Sequence, residues 1–97
     1  MESNKKIKDC ILFCLKQYNP EMIALFGSYA RNEQTEKSDI DILVKFNKTY
    51  SLLQLIRIEN ELSYMLGIKV DLLTPGALKN EKIKISIEKD LQIIYNL

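Results

Sequence analysis

The chain has 97 residues, enough for one small hydrophobic core but not for a catalytic domain joined to a separate substrate domain. Its 14 basic and 13 acidic side chains nearly cancel, so nothing requires nucleic acid or an anionic membrane as a direct partner. The sequence has no histidine, which excludes Ser-His-Asp hydrolases, Cys-His proteases and His-ligated zinc enzymes. No apolar run approaches the roughly 20 residues that span a bilayer. We therefore expect a cytoplasmic protein in which any catalysis rests on carboxylates and a hard metal ion.

The first predicted element is an amphipathic helix from about Lys5 to Tyr18, in which apolar residues recur at helical spacing. Cys10 and Cys14 lie on its apolar side, and we interpret both as small buried residues because a zinc site needs further soft ligands. Asn19-Pro20 ends the helix. A short buried strand is predicted from Met22 to Phe26.

A Gly-Ser turn follows this strand, and a second strand opens with two aspartates. We expect Gly27-Ser28 to turn the chain into a short helix from Tyr29 to about Gln34, whose N-terminal N–H groups are suited to bind an anion. After a polar loop, the strand Ile40 to Phe46 begins. Because side chains alternate along a strand, Asp39 and Asp41 share the face opposite the apolar residues.

The next predicted unit is a helix followed by a third strand. Ser51 is a suitable N-cap for a helix that runs to about Leu66 and stops at Gly67. The side predicted to face the sheet consists of Leu52, Leu55, Ile56, Glu59, Leu62, Ser63 and Leu66. In the strand Ile68 to Leu73, Asp71 again lies opposite apolar neighbours.

The last segment fits either a helix or a strand by periodicity alone. Its charged, non-aromatic start favours a helix from about Leu78 to Lys89, followed by a strand from Leu91 to Tyr95. Repeats, low-complexity tracts and linkers are missing, so we expect one domain over 1–97. Strands interleaved with helices predict an α/β or α+β sheet with helices on one face.

Three strand aspartates and a Gly-Ser turn together suggest a metal and phosphate site. Carboxylates that converge repel one another unless a cation neutralises them, and Mg²⁺ prefers such oxygen ligands. We predict that Asp39 and Asp41 bridge two Mg²⁺ ions and that Asp71 holds the ion at the nucleophile and accepts its proton. Gly27 and Ser28 would receive phosphate. Arg31 fits either a triphosphate contact or an ordinary surface arginine.

The stretch G-S-Y-A-R-N-E…S-D-I-D-I-L-V, followed by K-V-D-L-L-T, resembles the minimal nucleotidyltransferases of the polymerase β superfamily, and within it the MntA-like (MNT) antitoxins. The resemblance implies a small mixed sheet of about four strands that carries the three carboxylates, and a C-terminal helix and strand. Asn32 stands where many relatives have glycine. Because asparagine tolerates the left-handed conformation, we expect the turn to survive.

The resemblance also implies a function. Members of that family pair with helical HEPN proteins, often RNase toxins, and silence them by transferring AMP from ATP to a tyrosine, as in type VII toxin-antitoxin pairs. The resemblance thus predicts a hetero-oligomer with a HEPN toxin, and a homo-oligomer stays open. Two alternatives are a binding module that blocks its partner sterically and a transferase for small molecules. The complete acidic triad disfavours the first alternative, and the missing substrate domain disfavours the second.

The separate motifs also have a simpler interpretation, in which the aspartates are ordinary residues at strand entries and Gly27-Ser28 is only a turn. Either motif alone is common by chance. Together, with this spacing and a third strand aspartate, they favour a functional site.

Overall fold

A computed structural model describes residues 4–77 and 81–97. Its α-helices are α1 Asn4–Leu15, α2 Leu52–Leu66 and α3 Glu81–Asp90. Its strands are β1 Pro20–Phe26, β2 Ile40–Phe46, β3 Val70–Leu73 and β4 Gln92–Asn96. Short 3-10 helices lie at Lys16–Tyr18, Gly27–Tyr29 and Pro75–Ala77.

The four strands form one mixed sheet in the order β3-β2-β1-β4. Strand β1 is antiparallel to both β2 and β4, whereas β2 and β3 are parallel. Parallel neighbours need a crossover, and α2 supplies it. The predicted fold class, a small mixed α+β sheet of four strands, is confirmed.

The main hydrophobic core lies between one face of the sheet and the helices α1 and α2. Ile11 of α1 and Leu62 of α2 pack with Ile42 of β2, and all three side chains are fully buried. A smaller cluster on the opposite face joins Ile87 of α3 to Phe26, so that helix contacts the second face, and the prediction of helices on one face is wrong for α3. The second face is covered less completely, which leaves room there for a cleft.

The start and end of α2 are formed as predicted. The Ser51 hydroxyl accepts a hydrogen bond from the Gln54 N–H (3.2 Å), and the Gln54 side chain accepts one from the Ser51 N–H (2.8 Å). This reciprocal pair is a capping box. At the other end Gly67 adopts φ +68°, a left-handed conformation that glycine reaches without a steric penalty.

The predicted buried side of α2 is wrong at Leu52 and Ile56. Leu52 is 73% exposed and Ile56 is 43% exposed, whereas Ile58 and Leu62 are buried. At about 100° per residue, Ile56 projects about 120° around the helix axis from Leu62, outside the buried stripe. The helix contacts both α1 and β3, which places the buried stripe on Ile58 and Leu62.

The predicted helix from Tyr29 to Gln34 is also wrong. The chain makes a 3-10 turn at Gly27–Tyr29 and continues in turns rather than in an α-helix. Asn32 has φ +58°, so the expected left-handed residue is present, and it stops any helical continuation. The helix N-terminus expected to bind an anion is therefore absent from this segment.

Smaller differences concern element ends. Strand β3 begins at Val70 rather than Ile68, and β4 occupies Gln92–Asn96 rather than Leu91 to Tyr95. The predicted helix start at Leu78 lies outside the described residues. Within residues 4–77 and 81–97, no helix combines the length and the apolar character needed to cross a membrane.

Candidate functional site

Asp41 and Asp71 lie directly opposite each other on the parallel strands β2 and β3. Their neighbours Ile42 and Val70 point into the main core, so the two carboxyl groups project from the other face. The two side chains are close enough to share a hydrogen bond. The predicted convergence of these two strand aspartates is thus present.

The surroundings of Asp41 change the pKa of its carboxyl group. Burial, then repulsion from Asp71 and Asp39, raises its pKa from 3.8 to about 6, and Arg31 acts in the opposite direction. A carboxyl group with a raised pKa beside other carboxylates is typical of a site that receives a cation.

Asp39 lies next to this pair, at the entrance to β2. It is close enough to repel Asp41, and its carboxylate is 3.9 Å from the Lys69 ammonium. In the described part of the chain, no three acidic, histidine or cysteine side chains are already gathered around one point. The three carboxylates are therefore neighbours rather than a closed metal cage.

This donor set fits Mg²⁺. The ion is usually held by one or two carboxylates and completes its coordination with water and substrate phosphates, so a closed cage of side chains is not required. Asp41 and Asp71 supply hard oxygen donors, Asp39 adds a third carboxylate nearby, and their mutual repulsion would be relieved by a divalent cation.

Gly27 is fitted tightly against Asp41. It has φ +75°, and a Cβ added there would overlap Asp41 Oδ2 and lie 3.3 Å from Asp41 Cγ. Both the conformation and the space therefore require glycine. The turn after β1 is packed against the central carboxylate, which brings the predicted phosphate turn and the predicted metal site together.

The turn itself is stabilised by its own backbone. The Gly27 carbonyl accepts hydrogen bonds from the N–H groups of Ala30 (3.1 Å) and Arg31 (3.2 Å), so these two groups are used within the turn. Ser28 is partly exposed at its start, and Tyr29 is buried in the main core and anchors it. Sequence reasoning missed Tyr29, whose burial follows from a tertiary contact.

Arg31 lies beside the site and is already paired. Its guanidinium group donates to Asp90 (2.7 Å) and to Glu33 (3.1 Å), and its side chain is 38% exposed. The Asp90 side chain at the end of α3 is only 10% exposed. This ion pair, which sequence reasoning missed, ties the turn to α3 and orients Arg31 next to Asp41.

A cleft of about 380 Å³ opens over the two opposed aspartates. Its walls are mostly apolar and include three carboxylates and one lysine. The lining residues are Phe26, Asp41, Glu59, Asp71, Leu72, Leu73 and Lys82. Glu59 was predicted only as part of the helix side that packs on the sheet. Its polar side chain within an apolar stripe is the sequence feature that could have indicated a place in the cleft.

Comparison with known proteins identifies the family. The family profile described as "Nucleotidyltransferase domain" matches residues 5–94, nearly the whole chain. The chain belongs to the nucleotidyltransferase domain family. Its predicted resemblance to the minimal nucleotidyltransferases is thereby confirmed.

Individual relatives agree with this assignment. The chain is 53% identical over 95 residues to a Methanocaldococcus jannaschii protein named "Putative protein adenylyltransferase MJ0128", with 94% of this chain and 97% of that protein covered. It also shares its fold with two solved structures, at TM-scores of 0.81 and 0.78.

The first of these structures is a toxin-antitoxin complex with AMP-PNP, which matches at 23% identity over 93% of this chain and 73% of that one. The second is a tri-AMPylated Shewanella oneidensis HEPN toxin in complex with an MNT antitoxin, at 20% identity over 98% and 74% of the two chains. At these identities the likeness demonstrates a common fold.

Proposed function

We propose that this nucleotidyltransferase transfers AMP from ATP, with Mg²⁺, to a tyrosine of a HEPN RNase toxin and thereby acts as its antitoxin. The observation that carries this proposal is the apposition of Asp41 and Asp71 beside Gly27, because two such carboxylates can hold a divalent cation next to a turn that can receive phosphate. The relatives named above support the acceptor class, since one is a protein adenylyltransferase by name and another is bound to an AMPylated HEPN toxin.

The reaction is an in-line displacement at the α-phosphorus of ATP. The acceptor oxygen forms a bond to this phosphorus, the bond to the β-phosphate oxygen breaks, and pyrophosphate leaves. Asp71 accepts the proton of the acceptor hydroxyl. Two Mg²⁺ ions held by Asp39, Asp41 and Asp71 would lower the pKa of that hydroxyl and stabilise the charge on pyrophosphate.

The turn after β1 serves the triphosphate. Gly27 lets the backbone approach the phosphates closely, and the partly exposed Ser28 hydroxyl can donate to their oxygens. Arg31 is fixed by Asp90 beside Asp41, where its positive charge attracts the triphosphate.

The cleft supports an aromatic acceptor on a protein. Phe26 and Leu73 offer apolar contacts to a ring, and Asp71 in the same cleft can receive the proton of a ring hydroxyl. A docking surface for a protein is also available, because Leu52, Leu53 and Tyr64 of α2 are 73%, 78% and 90% exposed. These features favour a protein acceptor over a small molecule.

The test is a labelling reaction with Mg²⁺, this chain and the protein encoded beside its gene, which the proposal expects to be a HEPN protein. ATP labelled at the α-phosphate should transfer its label to a tyrosine of the HEPN protein, whereas ATP labelled at the γ-phosphate should transfer none. Asp71→Asn and Asp39→Asn should each lower the transfer rate by at least a hundredfold. Label transferred from the γ-phosphate, or undiminished transfer by both variants, would contradict the proposal.

Arg31 is expected to contribute to nucleotide affinity. We predict that Arg31→Ala weakens the binding of Mg²⁺-ATP about tenfold, because a guanidinium group beside the phosphates is lost. Titration calorimetry with a non-hydrolysable ATP analogue measures the change. Arg57→Ala, which removes an exposed arginine of α2, is the matched control and should bind like the wild type. Equal affinity of both variants would make Arg31 a purely structural residue.

A further inference from the structure

Glu59 of α2 reaches across to β3 and binds its backbone. Its Oε2 accepts a hydrogen bond of 2.7 Å from the Leu72 N–H. The same side chain lines the cleft together with Asp41 and Asp71. Glu59 thus contacts the peptide group that directly follows one of the two opposed aspartates.

Strand β3 lies at one edge of the sheet and, among the strands that the structure describes, pairs with β2 alone. Alternate N–H groups of an edge strand point away from the sheet and need other partners. The Val70 N–H donates to Ser63 Oγ (3.0 Å), and the Leu72 N–H donates to Glu59. Ser63 and Glu59 are one helical turn apart on α2, so the two side chains bind successive outward N–H groups of β3.

We propose that Glu59 is a positioning residue that holds Asp71 opposite Asp41. The peptide between Asp71 and Leu72 is fixed on its outer side by Glu59, which restricts the rotation that would swing Asp71 away. Such a restraint is needed because the carboxylates of Asp41 and Asp71 repel each other, and Asp71 lies on a strand of only four residues. The catalytic consequence of this role rests on the proposed nucleotidyl transfer.

The restraint acts through the hydrogen bond rather than through the charge of Glu59. Among the described residues, the charged groups that shift the pKa of Asp41 are Asp71, Asp39 and Arg31. A glutamine at position 59 keeps an oxygen acceptor for the Leu72 N–H, whereas an alanine removes it. Comparison of the two substitutions therefore separates the hydrogen bond from the charge.

The first measurement is amide hydrogen exchange on the wild type, Glu59→Ala, Glu59→Gln and Ser63→Ala, with thermal unfolding recorded for each. In Glu59→Ala the Leu72 amide should exchange at least tenfold faster, while the Val70 amide stays protected. Ser63→Ala should show the reverse pattern and is the matched control. An unchanged Leu72 amide in Glu59→Ala would overturn the proposal, whether or not the protein proves to be a transferase.

The second measurement is the rate of AMP transfer by the same four proteins. Glu59→Ala should lower kcat about tenfold and leave the KM for ATP within about twofold, because a misplaced carboxylate affects the reaction more than nucleotide binding. Glu59→Gln and Ser63→Ala should stay within about twofold of the wild type. A kcat for Glu59→Gln as low as that of Glu59→Ala would overturn the positioning role. Absence of transfer by the wild type would refute the proposed function, and the exchange data would still decide the role of Glu59.

Discussion

Asp41→Asn is expected to abolish AMP transfer and, at the same time, to make the metal-free protein more stable. In the absence of metal, the folded state raises the pKa of Asp41 to about 6, so its ionised form is destabilising at neutral pH. Asparagine removes that charge and keeps the shape. After allowance for solvent screening of this half-exposed group, the gain is on the order of 1 kcal/mol, or about 4–8 °C in Tm.

The extra stability of Asp41→Asn should depend on pH. The folded state binds the Asp41 proton more tightly than the unfolded chain does. The contribution of this carboxyl group to the free energy of unfolding therefore falls as the pH rises from 3.8 to about 6. The advantage of Asp41→Asn should therefore be full at pH 8 and nearly gone at pH 4. Asp9→Asn, at an exposed position of α1, should show no such advantage. Thermal unfolding at the two pH values measures the difference in stability between each variant and the wild type. An Asp41→Asn protein less stable than the wild type at pH 8 would contradict this electrostatic explanation.

Gly27→Ala is expected to be the most damaging glycine substitution in the described chain. The left-handed conformation at φ +75° alone costs an alanine about 1 kcal/mol, and the new Cβ would also overlap Asp41 Oδ2. We predict a total loss of about 3 kcal/mol in the free energy of unfolding, with transfer reduced at least a hundredfold since Asp41 is displaced. Urea denaturation and the labelling reaction measure the two effects.

The other described glycines provide matched controls for this substitution. Gly67→Ala has a similar φ of +68° but open space around the new Cβ, so it should cost only about 1 kcal/mol. Gly76→Ala meets neither constraint and should be close to neutral. In an Asp41→Ala background, Gly27→Ala should cost no more than Gly67→Ala, because the overlapping oxygen is gone. Equal costs of Gly27→Ala in both backgrounds would show that the contact with Asp41 is unimportant.

Local patterns sufficed to predict the first three strands and the face on which each aspartate lies. Alternation along β2 and β3 placed Asp41 and Asp71 on the face opposite Ile42 and Leu72, whereas the parallel pairing that sets the two aspartates side by side is seen only in the structure. Ser51 and Gly67 marked the ends of α2 for reasons that act within a few residues. These features depend on interactions between residues that are close together in the sequence, so the sequence alone is enough to predict them.

The features that escaped prediction depend on contacts between distant segments. The segment after Gly27 forms no α-helix, since Tyr29 is drawn into the core and Asn32 turns the chain. The pairing of Arg31 with Asp90 joins residues 59 positions apart. In the sequence Glu59 is one polar residue within an apolar stripe, and only the packing of α2 on the sheet edge shows what it binds. The roles of the site residues in catalysis stay predictions.

The most direct test of the central claim is the intact mass of the HEPN protein after incubation with Mg²⁺, ATP and this chain. We expect a mass increase by one or more AMP units on the HEPN protein, release of an equal amount of pyrophosphate, and loss of both when Asp41→Asn replaces the wild type. An unmodified HEPN protein that the chain nevertheless inhibits would contradict the account and would indicate a steric antitoxin instead.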